Sequence, residues 1–227
     1  MRKFRSGDER WGEFLDIKEF DESSLEKFIR NYKGERVFMS SVTDCYNPFE
    51  AKFKKTRKVL EALANSDVKL QILTKSSLVL RDIDLFKTMP NLRVGLSFST
   101  LDENLRAVFE PRASKVNERL NALRSLKEQG VKTFLFVAPI FPAITPALKF
   151  AQNYGDLADE IAFDRLNLYP AFKDKILSFI GRNFPHLLSL YKQIYLFNDN
   201  SYWHELAANL DEILSSKRAN YKIFFKD

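Results

Sequence analysis

Several short apolar runs in this sequence end in clusters of small polar residues. Arg36–Met39 is followed by Ser40, Ser41, Thr43 and Asp44, and Lys69–Leu73 by Thr74, Lys75, Ser76 and Ser77. Arg93–Phe98 brings Ser97, Ser99 and Thr100, Lys132–Ala138 brings Ala138 and Pro139, and Glu160–Leu168 brings Asn167 and Tyr169. Hydroxyls gathered around one lysine suit a ligand with a carboxylate and hydroxyl groups. A single Ser or Thr at such a place is ordinarily a helix cap, so the weight falls on Lys75. An ammonium directly after an apolar strand end is partly desolvated and requires an anion. The first cluster also holds Cys45, the only cysteine in the chain. A small loop residue is its plain role.

These groups converge only if the runs are neighbouring strands. The pattern is strand followed by amphipathic helix, repeated. Ser23 and Glu26 are spaced as a capping box, with Gly34 just past the helix they begin. Asn47 as N-cap and Pro48 in the first turn open a helix over Phe49–Ala64. A short helix is expected over Asp82–Met89, another over Asp102–Phe109, and a longer one over Ser114–Gln129, which Gly130 stops. Thr145 and Pro146 start a further helix, which Gly155 ends. Pro170 to Ala219 reads as three helices, with Lys222–Phe225 as a closing strand. Strand–helix alternation predicts an α/β fold with a parallel sheet. The strands are apolar runs rather than clean alternations, as when both faces are covered. Ligands of such sheets bind at the strand C-terminal ends.

Composition narrows the function classes. Of 227 residues, 45% are hydrophobic, which supports a folded core. Gly numbers only 7, and neither GxGxxG nor GxxxxGK[ST] occurs, which argues against Gly-rich phosphate loops. One cysteine excludes an internal disulfide. No apolar run reaches the length of a membrane span, and the basic start Met1-Arg2-Lys3-Phe4-Arg5 has no apolar stretch after it. A cytoplasmic protein is the expectation. The net charge of +6 is spread over helices among acids and reads as a solvated surface, with a nucleic-acid footprint as the alternative. His186 and His204 have no second ligand at metal spacing. The Phe and Tyr stripe from Phe179 to Phe197 reads as helix core.

The run Thr43-Asp44-Cys45-Tyr46-Asn47-Pro48-Phe49-Glu50 resembles the TDxYxPxE run of radical S-adenosylmethionine (SAM) enzymes related to spore photoproduct lyase. Further matches follow in order. Thr74-Lys75-Ser76 with Arg81-Asp82-Ile83-Asp84-Leu85 is similar to TKS and RDIDLL, and Ser97-Phe98-Ser99-Thr100 to a strand-end S-x-S/T-T. Glu110-Pro111-Arg112-Ala113 with Arg119-Leu120 is similar to EPxAxxxxxRL, and Ala138-Pro139-Ile140-Phe141-Pro142 to APIxPxxxD without its aspartate. The resemblance covers roughly residues 36–145. It implies a partial (β/α)6 barrel, apparently missing its first strand, with residues 1–169 as core and 170–227 as a helical extension packed on it. It implies SAM as cofactor, held by Ser41, Thr43, Asp44, Thr74, Lys75, Ser97 and Ala138, with Lys75 and Ser97 on the SAM carboxylate and ribose region. It also implies reductive cleavage of SAM to a 5′-deoxyadenosyl radical in the intact protein. Cys45 lies near the position of a cysteine that returns a hydrogen atom in the lyase, a position that aligns nearer Val42.

The departure from the family is large. Its 4Fe–4S cluster is held by three cysteines in a CxxxCxxC loop after the first strand, and one cysteine cannot supply three thiolates. The start of this chain, with Trp11 to Lys18, is similar to the segment that follows that loop. The expectation is therefore an inactive N-terminal truncation, with a natural loss of the cluster as the alternative. A missing first strand leaves Arg36–Met39 as a bare edge, open to self-association. The competing reading is a cluster-free α/β protein that binds a nucleoside or nucleic acid around Lys75. A third is a subunit that completes its barrel through a partner, with DNA or another nucleic acid as substrate in the first case.

Overall fold

The computed structural model describes residues 16–17, 19–39 and 42–226. Six strands form one wholly parallel sheet in sequence order: β1 (Arg36–Met39), β2 (Lys69–Thr74), β3 (Arg93–Phe98), β4 (Lys132–Ile140), β5 (Glu160–Arg165) and β6 (Tyr221–Ile223). Right-handed crossovers between strands laid down in one direction put the connecting helices on the same face. That face carries Leu70 and Ile72 of β2, Val94, Leu96 and Phe98 of β3, Leu135 and Val137 of β4, and Ile161 and Phe163 of β5, all buried in one core. The opposite, inner face is that of a partial barrel.

Helices follow the strands, and several of them cover the core face. The helices are α1 (Glu22–Asn31), α2 (Glu50–Phe53), α3 (Lys55–Leu63), α4 (Ile83–Phe86), α5 (Glu103–Phe109), α6 (Val116–Glu128), α7 (Ala147–Tyr154), α8 (Pro170–Asn183), α9 (Leu188–Leu196) and α10 (Ser201–Ser216). Leu120, Leu123 and Leu126 of α6 and Leu206, Leu210 and Leu214 of α10 recur at helical spacing and join the core. Full burial of each contributes about 1.5–3 kcal/mol. β6 completes the sheet beside β5, starting one residue earlier and ending two residues earlier than the sequence suggests, because Phe225 leaves the ladder to pack on Trp203.

Three local expectations are corrected. The cap of α1 is Asp21, whose carboxylate accepts from the Ser24 N–H, so Ser23 lies inside the helix. The expected helix over Phe49–Ala64 is broken at Lys54, which takes a left-handed φ of 49°. Glu50 explains the break: its carboxylate accepts from the Thr56 and Arg57 N–H groups and so caps α3 from within α2. Asn47 accepts from the Phe49 N–H, but it closes a turn before the helix, and Pro48 stays outside it. The helix expected over Asp82–Met89 is a 3-10 turn over Ser77–Asp82 that runs into α4.

β1 pairs only with β2 among the described residues, and its inner-face Phe38 is 44% exposed. The inner face tightens further along the sheet. Gly95 of β3 lies against the Phe134 ring of β4, where an added Cβ would sit 2.2 Å from the nearest ring atom. Gly95→Ala is therefore expected to lower unfolding stability by about 1–3 kcal/mol, measured by denaturant titration, with Phe134→Leu in the same background recovering part of the loss. An unchanged stability would refute the contact.

Candidate functional site

Asp44 organises the strand ends. One carboxylate oxygen accepts from Thr74 Oγ1 at 2.7 Å and from the Tyr46 N–H at 2.9 Å, and the other accepts from the Lys75 N–H at 2.8 Å. Thr74 Oγ1 in turn accepts from the Ser76 N–H. Asp44 and Thr74 thus bond each other and tie the loop after β1 to the end of β2. Lys75 O accepts from the Ser114 N–H, which ties the same residue to the start of α6. Lys75 is half-buried, and its ammonium has no hydrogen-bond or ion-pair partner among the described residues.

Tyr46 anchors this loop from below. Its buried hydroxyl, whose pKa burial pushes well up, donates to Asp82 at 2.9 Å. Asp82 is fully buried and receives Arg81 through Nε and Nη2 and Arg57 through Nη1. Arg57 also grips Asp84, and Arg81 also grips Glu50. Burial alone would raise the Asp82 pKa, but hydrogen bonds from Arg81, Arg57 and Tyr46 outweigh it and hold it below the usual range. Tyr46, Glu50, Arg81, Asp82 and Asp84 belong to the two runs singled out in the sequence, but their contacts, and the part of Arg57, span 25 and 36 residues and no local pattern announces them. The signal available was charge: Arg57, Arg81 and Asp82 interrupt apolar patterns.

At the next strand end, Ser97 Oγ donates to Ala138 O at 3.0 Å, and Ser97 O accepts from buried Arg119. Arg119 lies 2.8 Å from Glu110 and 4.7 Å from the centre of the Phe98 ring. Desolvation lowers the Arg119 pKa against the attraction of Glu110. Ser99 Oγ is buried without a hydrogen-bond partner, while Ser99 O accepts from Thr145 Oγ1. Thr43 is exposed, and Ser40 and Ser41 lie outside the described residues. So does nearly all of the N-terminal run through Lys18, residues 16 and 17 excepted. Cys45 is half-buried against the core, and its carbonyl accepts from Thr56 Oγ1. His186 and His204 are both exposed. Among the described residues, no group of three or more His, Cys, Asp or Glu is arranged to hold a metal ion, and no helix is long and apolar enough to cross a membrane. A separate groove of about 610 Å³ between α8 and α9, lined by Leu177, Arg182 and Lys192 among others, contains none of these groups.

The sequence profile of the radical SAM superfamily matches residues 4–147, which contain Asp44, Lys75, Ser97 and Ala138. The chain belongs to the radical SAM superfamily. This radical SAM chain is 35% identical over 178 residues to an uncharacterized protein of Methanocaldococcus jannaschii, covering 78% of this chain and 66% of that one. It is 40% identical over 134 residues to an uncharacterized protein of Acidianus two-tailed virus, covering 58% and 44%. It thus spans two thirds or less of the length of these relatives. A cysteine-to-serine variant of spore photoproduct lyase shares the fold with a TM-score of 0.64 at 16% identity, over 89% of this chain and 64% of that one. SuiB of Streptococcus suis bound to SAM superposes with a TM-score of 0.54 at 12% identity, over 92% and 44%.

The Asp82 cluster makes a pH-dependent contribution to stability. A carboxyl with a depressed folded pKa stabilises above its unfolded pKa of about 3.9 and loses that contribution as pH falls through the folded value. Asp82→Asn is expected to cost about 3 kcal/mol at neutral pH. The gap between wild type and variant should stay constant above about pH 5 and narrow below about pH 4. A gap that is independent of pH down to acid unfolding would contradict the assignment.

Proposed function

We propose that the strand ends of β1 to β4 form the SAM-holding crevice of a radical SAM enzyme of the spore photoproduct lyase-like type. The observation that carries this reading is half-buried Lys75, whose ammonium has no anion among the described residues. An ammonium left so pays for its desolvation only when an anion arrives, and the SAM carboxylate supplies one. Lys75 therefore binds the carboxylate. Asp44 and Thr74 act through it, by fixing the backbone from which it projects. The Ser97 hydroxyl donates its hydrogen bond to Ala138 O, so its oxygen offers lone pairs to a donor such as a ribose hydroxyl. Ser99 Oγ is a second unsatisfied group at the same strand end. Thr43 and Ala138 line the crevice in this reading, the part expected of Ser41 falls outside the described residues, and Cys45 is assigned to loop packing.

SAM, when bound and reduced, supplies a 5′-deoxyadenosyl radical for hydrogen abstraction. The 4Fe–4S cluster does not fit this chain: it needs three thiolates and there is one cysteine. In this reading the thiolates come from polypeptide outside this sequence, and the chain alone holds SAM without cleaving it. The described residues then hold and orient SAM, and the substrate enters over the inner face. Residues 170–227 are, in the same reading, a helical extension that closes one side of the core while returning β6 to the sheet.

Titration calorimetry of this chain with SAM tests the crevice. Lys75→Ala is expected to weaken SAM binding about 10–100-fold, the worth of a hydrogen bond to a charged group, with Lys75→Arg retaining part. Equal affinity, or no SAM binding by the wild type at millimolar concentration, would refute the reading. In that case, DNA binding with a steep salt dependence would instead favour the nucleic-acid-binding alternative.

A further inference from the structure

The inner face of the partial barrel carries one acidic group that the SAM crevice does not use. Asp164 is on β5, between Phe163 and Arg165. Phe163 belongs to the core face, and the Arg165 guanidinium reaches Asn200 on that same helix-covered side. Strand alternation therefore turns Asp164 to the inner face. Its neighbours there follow from the register. Ala162 pairs with Phe136 of β4 and Lys222 of β6. β4 bulges between Val137 and Ile140, so Ala138 and Pro139 both lie opposite Asp164, and Phe224, just past the end of β6, donates its N–H to Phe163 O.

The surroundings include an aromatic pair. Phe224 is 61% exposed and meets the Phe136 ring edge-on at 6.1 Å, with the planes at 90°. Ala162, Ala138 and Gly95 are the small residues of this wall. The N-terminal end of the face is closed. Glu160 binds Arg93 at 2.9 Å and Lys222 at 3.1 Å, and Arg93 covers the Phe134 ring at 5.2 Å. These two nearby cations are thus committed to Glu160. Lys75 is at the end of β2, with β3 and β4 intervening. No side chain among the described residues donates to Asp164; the Arg165 backbone N–H and, more weakly, the charge of the Arg165 guanidinium support its carboxylate. Burial holds its pKa above the ordinary carboxyl range.

We propose that Asp164 is a ligand-recognition carboxyl that accepts hydrogen bonds from a planar, N–H-rich group lying against Phe136 and Phe224. An amidine, a guanidine or an amino-substituted ring has this chemistry. A planar donor presents two N–H groups to one carboxylate in parallel, the strongest arrangement such a pair can form. Its flat body fits an edge-to-face aromatic wall, and positive charge on it is favoured by the ring faces. The carboxylate supplies the charge complementarity that an apolar wall alone lacks. Only the identification of this ligand as the substrate rests on the SAM reading; the site itself does not.

Benzamidinium is the probe, titrated into the full chain and followed by backbone-amide NMR shifts. Wild type is expected to bind it saturably, with shifts concentrated at Phe136, Ala162, Asp164 and Phe224. Asp164→Asn should weaken that binding at least about tenfold. Phe224→Ala should weaken it less, and benzyl alcohol, which lacks the cation, should bind wild type and Asp164→Asn alike. Equal benzamidinium affinity for wild type and Asp164→Asn, or shifts that map elsewhere, would overturn the proposal. SAM affinity separates the two readings. If Asp164→Asn loses benzamidinium and keeps SAM, both stand. If Lys75→Ala loses SAM while Asp164→Asn keeps benzamidinium, only the present inference fails. If wild type binds benzamidinium through Asp164 and does not bind SAM, only the SAM reading fails.

Discussion

The site depends on the Asp44 carboxylate. β1 is short, pairs only with β2 among the described residues, and leaves its inner face partly exposed. By itself it would hold its following loop loosely. Asp44 makes the loop part of β2 by accepting from both the Thr74 hydroxyl and the Lys75 backbone. A charge-assisted acceptor satisfied by a backbone N–H and a hydroxyl gives fixed geometry. Lys75 inherits that geometry. The Tyr46 hydroxyl then carries the constraint down to Asp82, where two arginines balance the buried charge. The crevice and the polar cluster beneath it are thus one mechanical unit, built from a loop of the first strand and a turn after the second.

The two faces of the sheet divide the labour. One face is a continuous apolar core under the helices, and it gives stability. The other alternates small residues, aromatics and charges. Glu160 with Arg93 and Lys222 closes its N-terminal end, while Lys75, Ser97, Ser99 and Asp164 stand toward the C-terminal end. Parallel strands make this polarity unavoidable: every strand ends on the same edge, so every loop that follows a strand gathers there. A buried ion pair such as Arg119 with Glu110 is a poor source of net stability. Its value is positional, because the same guanidinium fixes Ser97 O and so the end of β3.

Much of the fold was legible because strand and helix signals agreed. Leu120, Leu123 and Leu126 recur on one helix face, and Gly130, with a φ of 81°, ends that helix as a residue free to be left-handed should. Alternation gave the parallel sheet and its strands, while the order of the six strands is a finding of the structure. The caps were less legible. The sequence pointed to Ser23 at the start of α1, whereas the Asp21 carboxylate is the group that reaches the Ser24 N–H. The break at Lys54 was hidden, since the Glu50 carboxylate that explains it acts over six and seven residues. The same limit governs the site. Asp44 and Thr74 were legible as polar strand-end residues, but their bond to each other spans 30 positions and needs the strand register. Asp164 was missed because the fifth strand was read through to Leu168, and an acid within a strand has no meaning until its face is known.

The central claim is that Asp44 sets Lys75 to receive a carboxylate at the mouth of the sheet. A crystal structure of this chain grown with saturating SAM tests it most directly. The account predicts the SAM carboxylate within about 3 Å of Lys75 Nζ, with Asp44 still bound to Thr74 and the Lys75 backbone. SAM seated elsewhere on the chain, or bound here with Lys75 turned away to solvent, would contradict it.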